Sequence, residues 1–358
     1  MKSLINKNTP PPRNYGVDLL KILSMMMVLG LHLNKYGGFL DADMSYWEKF
    51  AVNYYEHLCI VAVNVFVIIS AWFLRERTAS INKTLSLVSA IVFWTIVSLL
   101  VVHLLGQNVT VKWVVKSIPF FGRAYDFLSG YLVMYMLSPV LNNMLNSSTR
   151  KQIALLAFGA FFVFSLMTPI TSSAYLKING GYSCFWFICL YLMTAYLKEY
   201  HRKLNRSERF SLLSLYFIMG AIAVFFTLHK LPILGSLAYN NVMVTIAAFS
   251  IFLFFKDIKI NNVYANRIIK FLAPMTLGVF LIHDHNLMEQ YYLTLNLSSM
   301  FTGKMHLYII GFPVILIIIY LICSVLEYIR IKMFDLVKIP DVLNKLALRI
   351  DGTLCKIK

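Results

Sequence analysis

Long stretches without a single charged residue dominate this 358-residue chain. Eight of them, at 57–74, 84–111, 127–149, 152–176, 178–197, 210–229, 231–255 and 305–326, are bounded by Lys, Arg, Asp or Glu and are as long as a membrane span. A helix must supply about 20 residues to cross a hydrocarbon core of roughly 30 Å. Two further runs, 22–34 and 271–283, are 13 residues long and reach spanning length only if Lys21 and Asp284 lie in or at the edge of the membrane. Backbone in hydrocarbon must satisfy its own hydrogen bonds, so the expected fold is all-α, a polytopic bundle of about ten transmembrane helices. Composition excludes a water-soluble domain: 59% of residues are hydrophobic and 14% charged, against about 25% charged in ordinary soluble domains.

Counting Lys and Arg across alternating loops gives 24 on one side and 8 on the other, with Lys21 completing the 33. Basic loops stay in the cytoplasm, which puts both termini there. The first outer loop, with Asp41, Asp43, Glu48 and Glu56, fits an external face. The net charge of +17 then reports basic loops beside anionic lipid rather than nucleic-acid binding. Residues 1–330 read as one membrane domain. In 331–358, Val342, Leu343, Leu346, Ala347, Ile350 and Leu354 alternate at helical spacing with Lys345, Arg349 and Lys356, as in an amphipathic helix on the cytoplasmic surface. The first apolar run lacks a small-residue cleavage site and reads as a retained helix. Five cysteines without a CxxC pair indicate neither a disulfide framework nor a zinc site.

Polar groups inside spans are expensive and by default functional, so the two short runs are where chemistry is expected. Asp18 and Lys21 are three residues apart and share a helix face. His32, eleven residues beyond Lys21, lies on the same face about 16 Å further along the axis. One face thus offers a cation near the cytoplasmic mouth and an imidazole deeper in. His283, Asp284 and His285 close the other short run; on a helix the two imidazoles point apart, and no third ligand is apparent, so no metal is expected. Trp186 and Tyr191 could stack on a sugar or fill the bundle.

The opening pattern Arg13-x4-Asp18-x2-Lys21-x10-His32 resembles the start of acyltransferase family 3 membrane proteins. Similar segments follow in order: Asn64–Leu74 with Ser70, Gly130–Asn142 with Pro139, Tyr182–Tyr191 with Trp186, and Phe271–His285 with Thr276, Gly278 and His283. The likeness covers about residues 13 to 330. Three positions depart from it: Lys21 stands where many members carry Arg, Ala71 replaces a glycine, and Arg75-Glu-Arg77 is closer spaced than the arginine pair of some members.

The resemblance implies a ten-span enzyme of the bacterial plasma membrane. It would move an acyl group, usually acetyl from cytoplasmic acetyl-CoA, to a hydroxyl of a surface polysaccharide or its lipid-linked precursor. His32 would be the catalytic histidine, either as the base that activates the hydroxyl or as the acceptor of the acyl group. Asp18 and Lys21 would support it at the cytoplasmic end. Lys21, Arg13, Arg75 and Arg77 could hold the CoA phosphates, although the positive-inside rule also accounts for Arg75 and Arg77. His283 with Asp284 or Asn286, together with Trp186 and Tyr191, are the candidates for contact with the acceptor sugar. The alternative is a transporter or flippase of a small anion or lipid-linked sugar, since intramembrane Lys and His also mark substrate pathways.

Overall fold

A computed structural model describes residues 13–77, 79–106, 109–116, 125–168, 171, 178–231, 236–284, 297–301 and 303–356. They are mostly helical, without a β-strand among them. The helices are α1 (Tyr15–Tyr36), α2 (Tyr46–Cys59), α3 (Ala62–Leu74), α4 (Ile81–Leu104), α5 (Val111–Lys116), α6 (Asp126–Asn146), α7 (Arg150–Phe161), α8 (Cys184–Tyr200) and α9 (Arg206–Leu228). They continue with α10 (Val242–Lys256), α11 (Val263–Leu272), α12 (Thr276–His283), α13 (Leu297–Phe301), α14 (Met305–Leu336) and α15 (Ile339–Lys356). Each of the ten apolar runs falls on a helix. Among the described residues, seven segments are long and apolar enough to cross a membrane: α1, the joined α2–α3, α4, α7 with its π-helical extension to Met167, α9, the joined α11–α12, and α14. Of the rest, α8 and α10 are shorter, at 17 and 15 residues, and α6 carries Asp126, Pro139, Asn142 and Asn143.

Helix starts are written locally. Asn14, Ser183, Asn241 and Asn262 each accept a first-turn N–H, and Ser45/Glu48, Thr149/Gln152 and Asn205/Glu208 form reciprocal capping boxes. Pro274 sits in the 3-10 turn Ala273–Met275, where its missing N–H bends α11 into α12.

Three helices run past the charges that bound the apolar runs. Glu56 lies inside the 29-residue span Tyr46–Leu74, where it accepts a hydrogen bond from Asn34 Nδ2 at 3.0 Å. Asp18 and Lys21 lie inside α1 and pair with each other at 3.1 Å. Glu327 and Arg330 lie inside α14 and pair at 2.6 Å. A paired or hydrogen-bonded charge no longer carries the full desolvation cost that makes a lone one a boundary.

Two apolar clusters organise the bundle. One is built mainly from α3, α6, α8 and α10, the other from α1, α4, α12 and α14. Helix α1 contributes to both and packs against α2, α3, α10, α11 and α12, so its polar face is surrounded by helices. The outward faces of α4, α9 and α14 remain apolar, with Ile96, Leu100, Phe217, Phe225, Ile309, Ile310 and Ile318 all exposed. Such surface is stable against lipid and would aggregate in water. Helix α15 packs along α4 and α14.

Candidate active site

The site begins at the first turn of α1. Asn14 caps the helix by accepting the Val17 N–H at 3.0 Å and ties it to α10 by donating to the Lys256 carbonyl at 2.8 Å. Asp18 accepts hydrogen bonds from both Arg13 and Lys21. Lys21 and Arg77 flank the same ring, Phe73, at 5.7 and 5.8 Å from its centroid. Arg75 pairs with Glu199, and Lys198 lies 3.0 Å from Glu76 and 5.1 Å from the Trp72 ring. The residues expected to hold a donor's phosphates therefore gather at one end of the bundle, but Arg13, Lys21 and Arg75 are already engaged with carboxylates of the chain.

Three turns further along, His32 points into the interior. Its Nε2 lies 3.3 Å from Asp284 Oδ1, and its ring centroid is 5.1 Å from that of His283 at an angle of 44°. Asp284 is the residue at which α12 ends. His283 is buried and its Nδ1–H donates to the Val279 carbonyl at 2.5 Å, which fixes its tautomer. His32 Nδ1 and His283 Nε2 have no hydrogen-bond partner among the described residues. The arrangement gives an imidazole with a carboxylate beside one nitrogen and, on the other side, a nitrogen that is out of solvent and has no partner among the described residues. That is the geometry in which a carboxylate orients a histidine and stabilises it when it takes a proton.

A cavity of about 320 Å³ opens on His32. It is walled by α1 through Met25, Val28 and His32, by α3 through Val63, Phe66 and Ser70, and by α4 through Lys83, Thr84 and Leu87. Phe127, Tyr131 and Tyr135 of α6 and Leu277 and Phe280 of α12 complete the sides. Phe127 and Tyr135 are eight residues apart on α6, so the cavity is about 12 Å deep. Lys83 and Tyr135 mark the end shared with Lys21; His32, Tyr182 and Tyr239 mark the other. Lys83 is exposed, and no carboxylate among the described residues stands within ion-pair distance of it.

The tyrosine pair is held by a buried chain of hydrogen bonds. The Tyr182 and Tyr239 rings lie 5.0 Å apart. Tyr239 N–H donates to the Gly180 carbonyl at 2.7 Å, and the Tyr239 carbonyl accepts from Asn64 Nδ2 at 2.7 Å. Asn64 Oδ1 in turn accepts the Trp186 indole N–H at 3.0 Å. Gly181, at φ 86°, lets this crossing form: a Cβ there would come within 2.7 Å of the Asn240 nitrogen. Trp186 and Tyr191 are fully buried and neither reaches the cavity wall. Trp186 acts on Asn64, and Tyr191 donates to Asn142 Oδ1 at 2.7 Å, whose Nδ2 donates to the Leu74 carbonyl at 2.8 Å.

Helix α12 is set by a second buried polar group. Glu327 of α14 is 2% exposed; it accepts the Trp94 indole N–H at 2.8 Å and two N–H groups of Arg330 at 2.9 and 2.6 Å. Its carboxyl fits only because position 278 is glycine, since a Cβ on Gly278 would collide with Glu327 Cγ and Cδ. Lys83, Tyr182, Tyr239 and Glu327 were not singled out by sequence. Only Glu327 left a signal, as the carboxylate that closes the apolar run 305–326. His285 and Asn286 lie outside the described residues.

Neither the curated proteins nor the solved structures contain a match to this chain. The family model described as an acyltransferase domain matches residues 14–328, which span every element of the cavity and both histidines. The chain thus belongs to acyltransferase family 3 and is a multi-pass membrane acyltransferase.

Proposed function

We propose that the protein is an O-acetyltransferase of the bacterial plasma membrane. It takes an acetyl group from cytoplasmic acetyl-CoA to a hydroxyl of a surface polysaccharide or its lipid-linked precursor. The observation that carries this reading is His32 at the inner end of a deep cavity, with Asp284 3.3 Å behind its Nε2. By the positive-inside count the Lys21 end of the bundle faces the cytoplasm, so donor would enter past Lys83 and acceptor would approach past Tyr182 and Tyr239. Arg77 and Lys83, which no carboxylate of the described residues neutralises, are the cations best placed to hold the donor's phosphates.

In this mechanism Asp284 accepts the Nε2–H of His32 and leaves Nδ1 as the base. The acceptor hydroxyl gives its proton to Nδ1 while its oxygen attacks the thioester carbonyl carbon. The carbon–sulfur bond then breaks, and the leaving thiolate takes the proton back from the imidazolium. Ester and free thiol result, and His32 returns to its neutral form. The apolar wall keeps water, a competing nucleophile, away from the thioester.

The test is transfer from labelled acetyl-CoA in proteoliposomes with a cell-envelope glycan extract as acceptor. Wild type should label the glycan, and His32→Ala at matched folding should lose about 100-fold or more of that rate. Label held on wild-type protein without acceptor would replace the base role by an acyl-histidine. Folded wild type that neither transfers nor hydrolyses acetyl-CoA, but moves a glycan lipid or small anion across the bilayer, would overturn the enzyme reading in favour of transport.

A further inference from the structure

A second recess of about 430 Å³ lies at the same end of the bundle as Lys21, where the loop before α9 meets the loop after α10. It is separate from the His32 cavity and shares none of its lining. Four cations line it: Lys203, Arg206, Arg209 and Lys259. Asp257 is the carboxylate on its wall, and it is already taken by Lys256 Nζ at 2.9 Å. Arg209 is anchored through Nη1 to the Asp257 carbonyl at 3.0 Å, while its Nε, out of solvent, finds no acceptor among the described residues. The recess therefore presents a concentrated, uncompensated positive charge around a guanidinium that is held in place, a setting made for phosphate oxygens.

The surroundings of the recess are apolar. Phe210 and Phe254 meet edge to face at 6.0 Å on its wall, and Phe210 is 50% exposed. Beyond Phe210, the outward face of α9 continues as an exposed ridge of Phe217, Ile218 and Phe225. Fifteen residues separate Phe210 from Phe225, or about 22 Å of helix, enough to lie along one leaflet. A soluble phosphate compound would leave that ridge unused, whereas a phospholipid would place its headgroup on the cations and its chains along the ridge. We propose that this recess is a binding site for the phosphate headgroup of an anionic phospholipid, with the exposed face of α9 as the bed for its acyl chains.

Native mass spectrometry of the full-length protein in mild detergent tests this, with phosphatidylglycerol and phosphatidylethanolamine of equal chain length as probes. Lys203, Arg206 and Lys259 are exposed, so the triple variant K203Q/R206Q/K259Q removes charge without disturbing packing. Arg267, Lys270 and Lys332 are exposed elsewhere, and R267Q/K270Q/K332Q makes a charge-matched control. Expected is retention of phosphatidylglycerol over phosphatidylethanolamine by wild type, a loss of tenfold or more in the first variant, and a change under twofold in the control. Equal loss in both variants would mean diffuse surface charge and overturn the site. So would unchanged retention in the first variant. Displacement of the lipid by millimolar glycerol phosphate or inorganic phosphate would reassign the recess to a soluble phosphate and refute the lipid.

Discussion

Replacing Asp284 by Asn keeps the size of the side chain and removes a negative charge 3.3 Å from His32 Nε2. If that carboxylate stabilises the imidazolium formed as the hydroxyl attacks, the loss should appear in the chemical step. Two unit charges at that distance attract by about 5 kcal/mol at an effective dielectric of ~20 and by about 1.3 kcal/mol at the ~80 of water. The His32 and Asp284 side chains are 21% and 17% exposed, so the site lies nearer the first value. At about 1.4 kcal/mol per tenfold in rate, the two limits correspond to roughly ten-fold and several-thousand-fold. We expect kcat to fall about 100- to 1000-fold.

The amide oxygen of Asn can still accept the Nε2–H, so the ring need not turn, and KM for acetyl-CoA should stay within about twofold, because the charge acts in the transition state and not in donor binding. The assay is initial-rate acetyl transfer in proteoliposomes across a range of donor concentrations, with wild type and variant matched by thermal unfolding. A kcat within twofold of wild type, or a change confined to KM, would refute the pairing of Asp284 with His32 in catalysis.

Gly278→Ala should force the Glu327 carboxylate away from Trp94 and Arg330. Overpacking alone costs about 1–3 kcal/mol, which a lowered midpoint of thermal unfolding in detergent would show. Trp186→Phe removes the donor to Asn64 and with it part of the support of Tyr239; stability should fall by about 1–3 kcal/mol and kcat should fall with it, with donor KM unchanged. Tyr191→Phe removes a hydrogen bond to Asn142 that leads away from the cavity, so it should lower the unfolding midpoint while leaving kcat as in wild type. His201, in the loop between α8 and α9, has its pKa lowered by burial and secondarily by Lys256. The unfolded chain therefore takes up a proton there before the folded one does, and stability falls as pH drops below the unfolded value of about 6.5. His201→Gln should flatten the acid side of a plot of unfolding midpoint against pH between about 5 and 7.

The helices were legible because the apolar runs are a local property. His32 was legible because a histidine in a span has few bland explanations. Its partner was half legible: Asp284 drew notice as a charge at the edge of a short run, but nothing local says that α12 delivers it to α1. Trp186 and Tyr191 show the opposite case. Aromatics in an apolar helix can be sugar platforms or, more often, filling, and only the geometry shows that their polar atoms are spent on Asn64 and Asn142. Tyr182 and Tyr239 reach the cavity from two segments about 57 residues apart, joined through a glycine with φ 86°. No periodicity records such a meeting.

Charge counting bears on the side of the membrane and not on the site, because the two depend on different quantities. Orientation follows the number of Lys and Arg in a loop, whether or not each has a partner. Phosphate binding follows the charge left after internal pairing, and that is a property of the fold. Arg13 and Arg75 count fully toward the first and are offset by Asp18 and Glu199 for the second. Lys83 counts the same in sequence, yet it stands exposed at the mouth of the cavity with no such carboxylate beside it. The same distinction moves the ends of the spans. Asp18 with Lys21, Glu56 with Asn34, and Glu327 with Arg330 and Trp94 all sit inside helices that the charge pattern alone would cut short. In a bundle of this kind, a charged residue need not mark a boundary where it has a partner on a neighbouring turn or helix.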